Sequence, residues 1–419
     1  MASGDGREKT PRDVTHGRGL RQEFFVSLGL GVQGSLLAML RGRIVRHMDT
    51  PPENQLPEAN QAAAAQSPPA APKRPVKAVA LLSGGLDSTV AVKMLREQGV
   101  EVHALNFNTG FCLTDHARKI RKTDDMRKLR NEALRAGADL DVEVEIVDIS
   151  KEYLEVLTKP KYGYGSGANP CIDCRIFMFK KAREHMEAIG ADFVFTGEVL
   201  GQRPMSQMRP SLDLIERESG LKGKLLRPLS AQHLAPTEAE KEGLVDRSQL
   251  GAIRGRTRTD QMALAEKFKI VDYPQPAGGC CFLTDENYAK KFHDFMAHWD
   301  GKRELKLDDF LILKVGRHFR LGPELRCIVG RFEGENKFLS YFGAEHWLLT
   351  TPDVPGPTTW VDGEPDDAQL RTLARITVRY SDCPAEATSR VIALCDEEER
   401  ELADIVPMPM REVDQLRIE

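Results

Sequence analysis

Short apolar runs alternate with amphipathic segments through the middle of this chain, and this alternation restricts the fold more than any other feature. Strand periodicity covers residues 76–82, 100–107, 142–149 and 192–198, and helical periodicity covers residues 88–99 and 174–191. Strands that alternate with helices in this way are typical of parallel sheets covered by helices on both faces. The sequence therefore predicts an α/β fold with a doubly wound parallel sheet, in which ligands bind beyond the carboxyl ends of the strands.

The pattern changes near residue 286. A helical pattern at 286–299 is followed by short β-type runs that Gly, Pro and Asn separate, and further strands are predicted at 374–382 and 387–396. These features predict a second, smaller α+β domain over residues 286–419, after an α/β domain over residues 75–285.

The first part of the chain has a different composition. Residues 1–74 become rich in Pro, Ala and Gln towards their end, and we expect a disordered or dispensable extension and linker there. The apolar run at 24–40 is short for a membrane span and contains Gly, Ser and Gln, so we expect no membrane segment.

Length and composition limit the class of protein. A chain of 419 residues with 41% hydrophobic and 29% charged residues is typical of a soluble protein with more than one domain. The net charge of -4 shows no global basic excess, so a nucleic-acid surface must be a local patch. Eight cysteines without disulfide-like spacing indicate a reducing, cytoplasmic location.

The first strand runs into a loop suited to an anion. Glycines allow backbone N–H groups to approach a phosphate, hydroxyl groups add donors, and the next helix presents its positive end. The loop residues with these properties are Ser83, Gly84, Gly85, Asp87 and Ser88. The lysine of the common P-loop is absent, and an aspartate beside phosphates requires a Mg²⁺ ion or ordered donors between them. The residues alone also fit a simple turn followed by a helix cap.

Four cysteines form two close groups in the predicted α/β domain. Cys171 and Cys174 have CxxC spacing ahead of a predicted helix, a position that favours the thiolate, and Cys280 and Cys281 follow about a hundred residues later. Four thiolates suit a structural zinc ion, and three suit a [4Fe-4S] cluster with one iron open to sulfide. A third interpretation is a redox pair of Cys174 and Cys281, one carrying a persulfide that the other resolves. Packing as small apolar residues is the least favoured, because the thiols are grouped.

The loop "SGGLDS" after a short apolar strand resembles that of the ATP pyrophosphatase-loop family. This family includes GMP synthetase, NAD synthetase, asparagine synthetase and tRNA thiolation enzymes. The resemblance implies that Ser83, Gly84, Gly85, Asp87 and Ser88 bind the phosphates of ATP and their Mg²⁺ ion. It also implies an adenylated intermediate.

Two further stretches resemble particular members of that family. "NPCIDCRIFMFKKAREHMEAIGADFVFTGE" is similar to the tRNA 2-thiouridine synthases, and "TGEVLGQRPMSQ" with "LLRPLS" is similar to the tRNA 4-thiouridine synthetases. The resemblance covers residues 77–285. The implied catalytic residues are Cys174, Cys281 and Asp87, and the implied nucleotide-crevice residues are Thr196, Gly197, Gln202, Ser206 and Gln207. The implied cluster ligands are Cys171, Cys174 and Cys281, with Cys280 as the alternate to Cys281.

The activity implied by this resemblance is ATP-dependent tRNA uridine thiolation by a tRNA sulfurtransferase. A uracil carbonyl oxygen is adenylated, and sulfur from a cysteine persulfide or cluster-bound sulfide then replaces it. The expected partners are tRNA and a sulfur donor, which is a cysteine desulfurase, a carrier protein or sulfide. Two alternatives are an adenylating amide ligase of the same superfamily and a non-catalytic RNA-binding protein.

Two basic segments and one short resemblance bear on RNA binding. Basic residues are concentrated at 116–135 and 254–258, where they suit tRNA phosphates or a solvated helix face equally well. Residues 313–339 resemble a small RNA-binding domain of ribosome-associated proteins, and an interaction or structural role for them is equally allowed.

Overall fold

The computed structural model describes residues 74–112, 131–274 and 281–418, all of which lie within one unit, Gln66–Glu419. The expected N-terminal extension, its apolar run, most of the basic segment at 116–135 and Cys280 lie outside the described residues. In the described ranges, no helix is long and apolar enough to cross a membrane.

The first sheet has five parallel strands, which are β1 (Lys77–Leu81), β2 (Glu101–Asn108), β3 (Val144–Asp148), β4 (Phe193–Thr196) and β5 (Leu225–Leu226). Their order across the sheet is β3-β2-β1-β4-β5. The central strand β1 pairs with both neighbours at its carboxyl end, where Leu81 is level with Leu105 and with Thr196. The predicted doubly wound α/β fold is confirmed.

Residues of β1 alternate between two cores, which explains its continuous apolar sequence. Ala78 and Ala80 pack with Val90 of the first helix, and Val79 packs on the other face with Phe179. Strands buried on both faces are typical of parallel sheets. The helices of this part are α1 (Leu86–Arg96), α2 (Glu132–Leu140), α3 (Tyr153–Thr158), α4 (Cys171–Ala188), α5 (Arg209–Glu218), α6 (Glu238–Lys241) and α7 (Thr259–Lys267).

Helix α4 begins three residues earlier than the sequence pattern indicated. Pro170 holds the N-cap position, and its carbonyl accepts the first helical hydrogen bond from Cys174 N at 2.8 Å. Both cysteines of the CxxC therefore lie in the first turn of the helix, with Cys171 as its first residue.

The second sheet has six antiparallel strands, which are β6 (Arg317–Gly322), β7 (Leu325–Val329), β8 (Trp347–Thr350), β9 (Thr359–Asp362), β10 (Ser389–Cys395) and β11 (Glu398–Ile405). Their order across the sheet is β11-β10-β8-β9-β7-β6, so the smaller α+β architecture is also as predicted. The helices are α8 (Glu286–Ala297), α9 (Leu307–Leu311), α10 (Glu333–Tyr341), α11 (Asp367–Arg379) and α12 (Met410–Leu416).

The prediction of a strand at 374–382 is wrong, because helix α11 covers most of this segment. Asp366 and Gln369 form a capping box that begins the helix. The buried residues Leu370, Leu373, Ala374 and Thr377 follow at helical spacing and pack on the sheet. The β-branched residues at 376–378 favour a strand locally, but burial of the helical stripe outweighs this weak preference.

An aromatic cluster lies between the end of β2 and the segment that leads to the second sheet. The ring centroids of Phe111 and Phe310 are 6.5 Å apart, and those of Phe292 and Phe310 are 5.8 Å apart. All three side chains are fully buried. Cys174 and Cys281 pack against this cluster, so it positions the thiols predicted to be functional.

Candidate active site

The loop between β1 and α1 has a backbone shape that requires glycine. Gly84 has φ +75°, and a Cβ atom there would lie 2.2 Å from the carbonyl carbon and oxygen of Glu132. Gly85 holds the N-cap position of α1 and brings no side chain to its first turn. The start of this helix therefore has no side-chain cap, an arrangement that suits an anion, and anion binding by the loop stays a prediction.

The two loop serines have different environments. Ser88 is nearly buried, and its hydroxyl donates to the Gly85 carbonyl at 3.0 Å. Ser83 is exposed, and its Oγ lies 3.1 Å from Ser88 Oγ. Both serines thus help to shape the loop, since the exposed Ser83 also accepts a hydrogen bond at its Oγ from Gly85 N at 3.4 Å.

Asp87 is the carboxylate of the loop, and its surroundings shift its pKa. Its side chain is 16% exposed, and Oδ2 accepts a hydrogen bond from Gln202 Nε2 at 3.1 Å and lies 3.8 Å from Arg258. Burial raises the pKa of Asp87, although the hydrogen bond from Gln202 and the positive charges of Arg258 and Arg203 oppose this shift. Oδ1 accepts no hydrogen bond of normal geometry among the residues that the structure describes, although the buried Gln261 side chain is close enough to lower the pKa of this carboxyl. A buried carboxylate oxygen of this kind fits a Mg²⁺ ion, which prefers oxygen ligands.

The end of β4 approaches the loop closely. A Cβ atom at Gly197 would lie 2.5 Å from the carbonyl carbon of Asp87 and the nitrogen of Ser88, so only glycine allows this contact. Thr196 is buried, and its hydroxyl accepts a hydrogen bond from Glu198 N at 3.2 Å. The structure brings Gly197 directly to the loop and gives the Thr196 side chain a role in the turn.

The remaining predicted crevice residues differ in position. Gln202 contacts Asp87 directly, as described above. Ser206 and Gln207 are each 3% exposed, and the carbonyl of Gln207 accepts a hydrogen bond from Gly201 N at 2.7 Å. The backbone carbonyl of Gln207 therefore stabilises the turn that presents the Gln202 side chain to Asp87.

Sequence reasoning missed a buried ion-pair network around Glu198, which follows the end of β4. Glu198 is 4% exposed and accepts a hydrogen bond from Arg227 Nε at 3.1 Å, and Arg227 also donates to Glu216 at 3.1 Å. Glu198 lies 3.5 Å from Arg175, the residue after Cys174 on α4. The network connects the strand end beside the loop to the helix that carries the CxxC. A glutamate directly after "TG" at a strand end was the available signal.

The CxxC cysteines are half-buried at the start of α4. The Asn169 side-chain amide donates to Cys171 Sγ at 3.1 Å, which orients this thiol. Cys174 packs against the aromatic cluster, as does Cys281. The structure thus brings Cys174 and Cys281 to one cluster at the carboxyl edge of the parallel sheet.

Cys112 is a fourth described thiol in this region, and sequence reasoning missed it. It follows the carboxyl end of β2 by four residues and forms an isolated antiparallel β-bridge with Cys281. Its position after a strand in the segment "FNTGFC" was the signal that indicated the same edge of the sheet.

The described donor groups do not form a metal centre by themselves. Across residues 74–112, 131–274 and 281–418, no group of three or more His, Cys, Asp or Glu side chains has an arrangement that could hold a metal ion. The assignment of Cys171, Cys174 and Cys281 as cluster or zinc ligands stays a prediction.

Two family models match separate parts of the chain. The thiamine biosynthesis protein (ThiI) family matches residues 75–234, and the NFACT protein RNA binding domain matches residues 316–417. The second match contains most of the segment whose resemblance to a small RNA-binding domain was noted in the sequence.

Curated relatives include tRNA-specific 2-thiouridylases. The protein of Petrotoga mobilis is 37% identical over 136 residues, which are 30% of this chain and 35% of the relative. That of Listeria monocytogenes serotype 4a is 25% identical over 290 residues, which are 65% of this chain and 73% of the relative. The chain therefore spans about a third of the first of these relatives and nearly three quarters of the second.

Among solved structures, a 4-thiouridine synthetase–RNA complex with bound ATP is 22% identical, covers 46% of this chain and 52% of that chain, and has a TM-score of 0.28. The family and relative matches confirm the resemblance to the tRNA thiouridine synthases of the ATP pyrophosphatase-loop superfamily.

Proposed function

We propose that this chain is an ATP-dependent tRNA sulfurtransferase, which adenylates a uracil carbonyl oxygen and replaces it with sulfur. The observation that carries the proposal is the connection of the glycine-rich loop after β1 to a thiol-bearing helix through the turn that holds one buried carboxylate. Glu198 lies two residues beyond Thr196, the last residue of β4, and 3.5 Å from Arg175 of α4. Such rigid support suits a site in which two chemical steps act on the same atom.

The loop residues have a defined role in the first step. The N–H groups around Gly84 and Gly85 and the start of α1 would hold the phosphates, and Asp87 would hold Mg²⁺ through Oδ1. Bound ATP supplies the adenylyl group that turns a poor leaving oxygen into a good one. Gln202 keeps the Asp87 carboxylate oriented through its hydrogen bond to Oδ2.

The thiols serve the second step. A persulfide on Cys281 or Cys174 presents sulfur at the carboxyl edge of the sheet, near the end of β2. The aromatic cluster shields this side of the cysteines from water. A second thiol attacks the cysteine sulfur of the persulfide and forms a disulfide with it, and the outer sulfur leaves as hydrosulfide. The hydrosulfide attacks the adenylated carbon and expels AMP, and exclusion of water limits the competing hydrolysis.

Exposed arginines near the loop suit the phosphates of tRNA. Residues 254–258 lie beside the turn after β4, where Gly255 N donates to the Leu200 carbonyl at 2.7 Å. Arg254 and Arg256 are exposed. We propose that these side chains and the region 316–417 contact tRNA, and that Arg254→Gln with Arg256→Gln weakens tRNA binding without weakening ATP binding.

The decisive experiment uses the full chain, purified anaerobically, with unmodified tRNA, ATP, Mg²⁺ and a persulfide or sulfide donor. Mass spectrometry of the digested nucleosides should show uridine in which one oxygen is replaced by sulfur. Asp87→Asn should lose this product, whereas Asp300→Asn, a change in an exposed carboxylate, should retain it.

Three results would contradict the proposal. One is the absence of thiolated nucleoside with either donor. Another is pyrophosphate release stimulated by a small carboxylate rather than by tRNA, which favours amide ligation. The third is tRNA binding that Cys174→Ala leaves unchanged in a chain without ATP turnover, which favours a non-catalytic RNA-binding protein.

A further inference from the structure

Cys112 and Cys281 face each other across two antiparallel segments. The bridge between them is flanked by a hydrogen bond from Phe282 N to the Phe111 carbonyl at 3.0 Å. A flanking bond of this kind defines the non-hydrogen-bonded type of pair, whose Cα atoms are about 4.5 Å apart and whose side chains are close. Disulfides have Cα atoms about 4.4–6.8 Å apart, so this geometry allows a bond between the two sulfurs.

A lysine from the second part of the chain fixes the two segments. Lys314 is 9% exposed, and its ammonium group donates to the Gly110 carbonyl at 2.7 Å. The same group lies 5.0 Å from the ring centroid of Phe111 and 5.2 Å from that of Phe282. The Lys314 ammonium group therefore contacts Phe111, next to Cys112, and Phe282, next to Cys281. These contacts hold the two backbone segments at a fixed separation.

Both cysteines keep part of their surface exposed. Cys112 and Cys281 are half-buried, whereas Cys327 in the core of the second sheet is fully buried. Cys112 also follows the carboxyl end of β2, the strand next to β1 and its loop, by four residues, and Cys281 is paired with it there. Accessibility and close pairing are the two properties that a resolving thiol requires.

We propose that Cys112 is the resolving thiol for a persulfide on Cys281. This inference rests on the proposed function and identifies a residue of the same site. The Cys112 thiolate attacks the Sγ of Cys281, an S–S bond forms between the two cysteines, and the bond to the outer sulfur breaks. That sulfur takes the electron pair, keeps its proton and leaves as hydrosulfide.

The step is balanced without a further oxidant. The outer sulfur is reduced to hydrosulfide, and the Cys112 sulfur is oxidised to the disulfide. A low-molecular-weight persulfide supplies the sulfur at the start, and a dithiol reductant reopens the disulfide afterwards. The hydrosulfide released at this edge of the sheet is the nucleophile that the adenylated base requires.

The test treats the full chain anaerobically with a glutathione persulfide donor, without ATP or tRNA. Alkylation, digestion without reductant and mass spectrometry should reveal a peptide that links Cys112 to Cys281, together with released sulfide. Cys112→Ser should retain the persulfide on Cys281 and release about tenfold less sulfide, because the attacking thiolate is missing. Cys383→Ser, a matched change in a half-buried thiol of the loop between α11 and β10, should behave as the wild type.

Three outcomes would overturn the inference. They are unchanged sulfide release from Cys112→Ser, a disulfide that joins Cys174 to Cys281 in the wild type, and no persulfide on Cys281 in any variant. The cross-linked peptide of the wild type requires no substitution, so misfolding of a variant does not decide the result. Since neither tRNA nor ATP is present, failure here is distinguishable from failure of tRNA thiolation.

Discussion

Gly84→Ala should damage the loop far more than an equivalent change elsewhere. The φ of +75° is in the left-handed region, where an L-residue costs about 1–2 kcal/mol. The new Cβ would also lie 2.2 Å from the Glu132 backbone, which must move away to reach about 3.4 Å. Overpacking of this kind costs about 1–3 kcal/mol, so we expect a total loss of about 2–5 kcal/mol.

The matched control is Gly99→Ala. Gly99 has φ +80°, and a Cβ atom there meets nothing within 4 Å, so its cost is the conformational part alone, about 1–2 kcal/mol. Urea unfolding of both variants measures the difference between them. A displacement of the loop by about 1 Å should also lower the rate of pyrophosphate release about 100-fold in Gly84→Ala.

Two results would refute this reasoning. If the free energies of unfolding of the two variants are equal, the contact with Glu132 has no energetic consequence. If Gly84→Ala is destabilised but releases pyrophosphate at the rate of Gly99→Ala, the loop does not bind the phosphates of ATP.

The remaining predictions concern buried charges. Arg227→Met leaves the Glu198 carboxylate buried with less compensation and should cost about 3–5 kcal/mol in urea unfolding, whereas Arg217→Met, at an exposed position, should cost under about 1 kcal/mol. Because the pKa of Asp87 is raised, the native state binds its proton more tightly than the unfolded state, and this group lowers stability as pH rises above its ordinary value of 3.8. Asp87→Asn should therefore gain stability relative to the wild type as pH rises through that range, and equal pH profiles of the two proteins in urea unfolding would contradict this. Burial lowers the pKa of His318 well below 6.5, so the stability that the neutral imidazole contributes should be lost as pH falls below 6.5. In acid unfolding, the stability of His318→Gln should therefore depend less on pH than that of the wild type.

The parallel sheet was predictable because its signals are local. Each strand is a short apolar run, and the loop after β1 carries its glycines and hydroxyl groups within six residues. Residues 374–382 show the limit of such signals. Their β-branched side chains favour a strand, but the stripe from Leu370 to Thr377 is buried only when the segment is helical.

The connections within the site were not predictable, since they join residues distant in sequence. Arg227 reaches Glu198 only after β4 and β5 pair, and Cys112 meets Cys281 only when the segment before the second sheet returns to β2. A single sequence contains no record of such pairings. The residue types at the strand ends were visible, but their partners were not.

The aromatic cluster has a consequence for dissection of the chain. The sequence pattern changes near residue 286, which suggests a place to separate the two parts for study. Phe111 and Tyr153 before that point nevertheless pack with Phe292 and Phe310 after it, and Lys314 reaches back to Gly110. A fragment that ends at residue 285 would expose these rings to water and lose the cation that holds Phe111 and Phe282. The shortest autonomous form of the thiol-bearing half must therefore continue at least through Lys314.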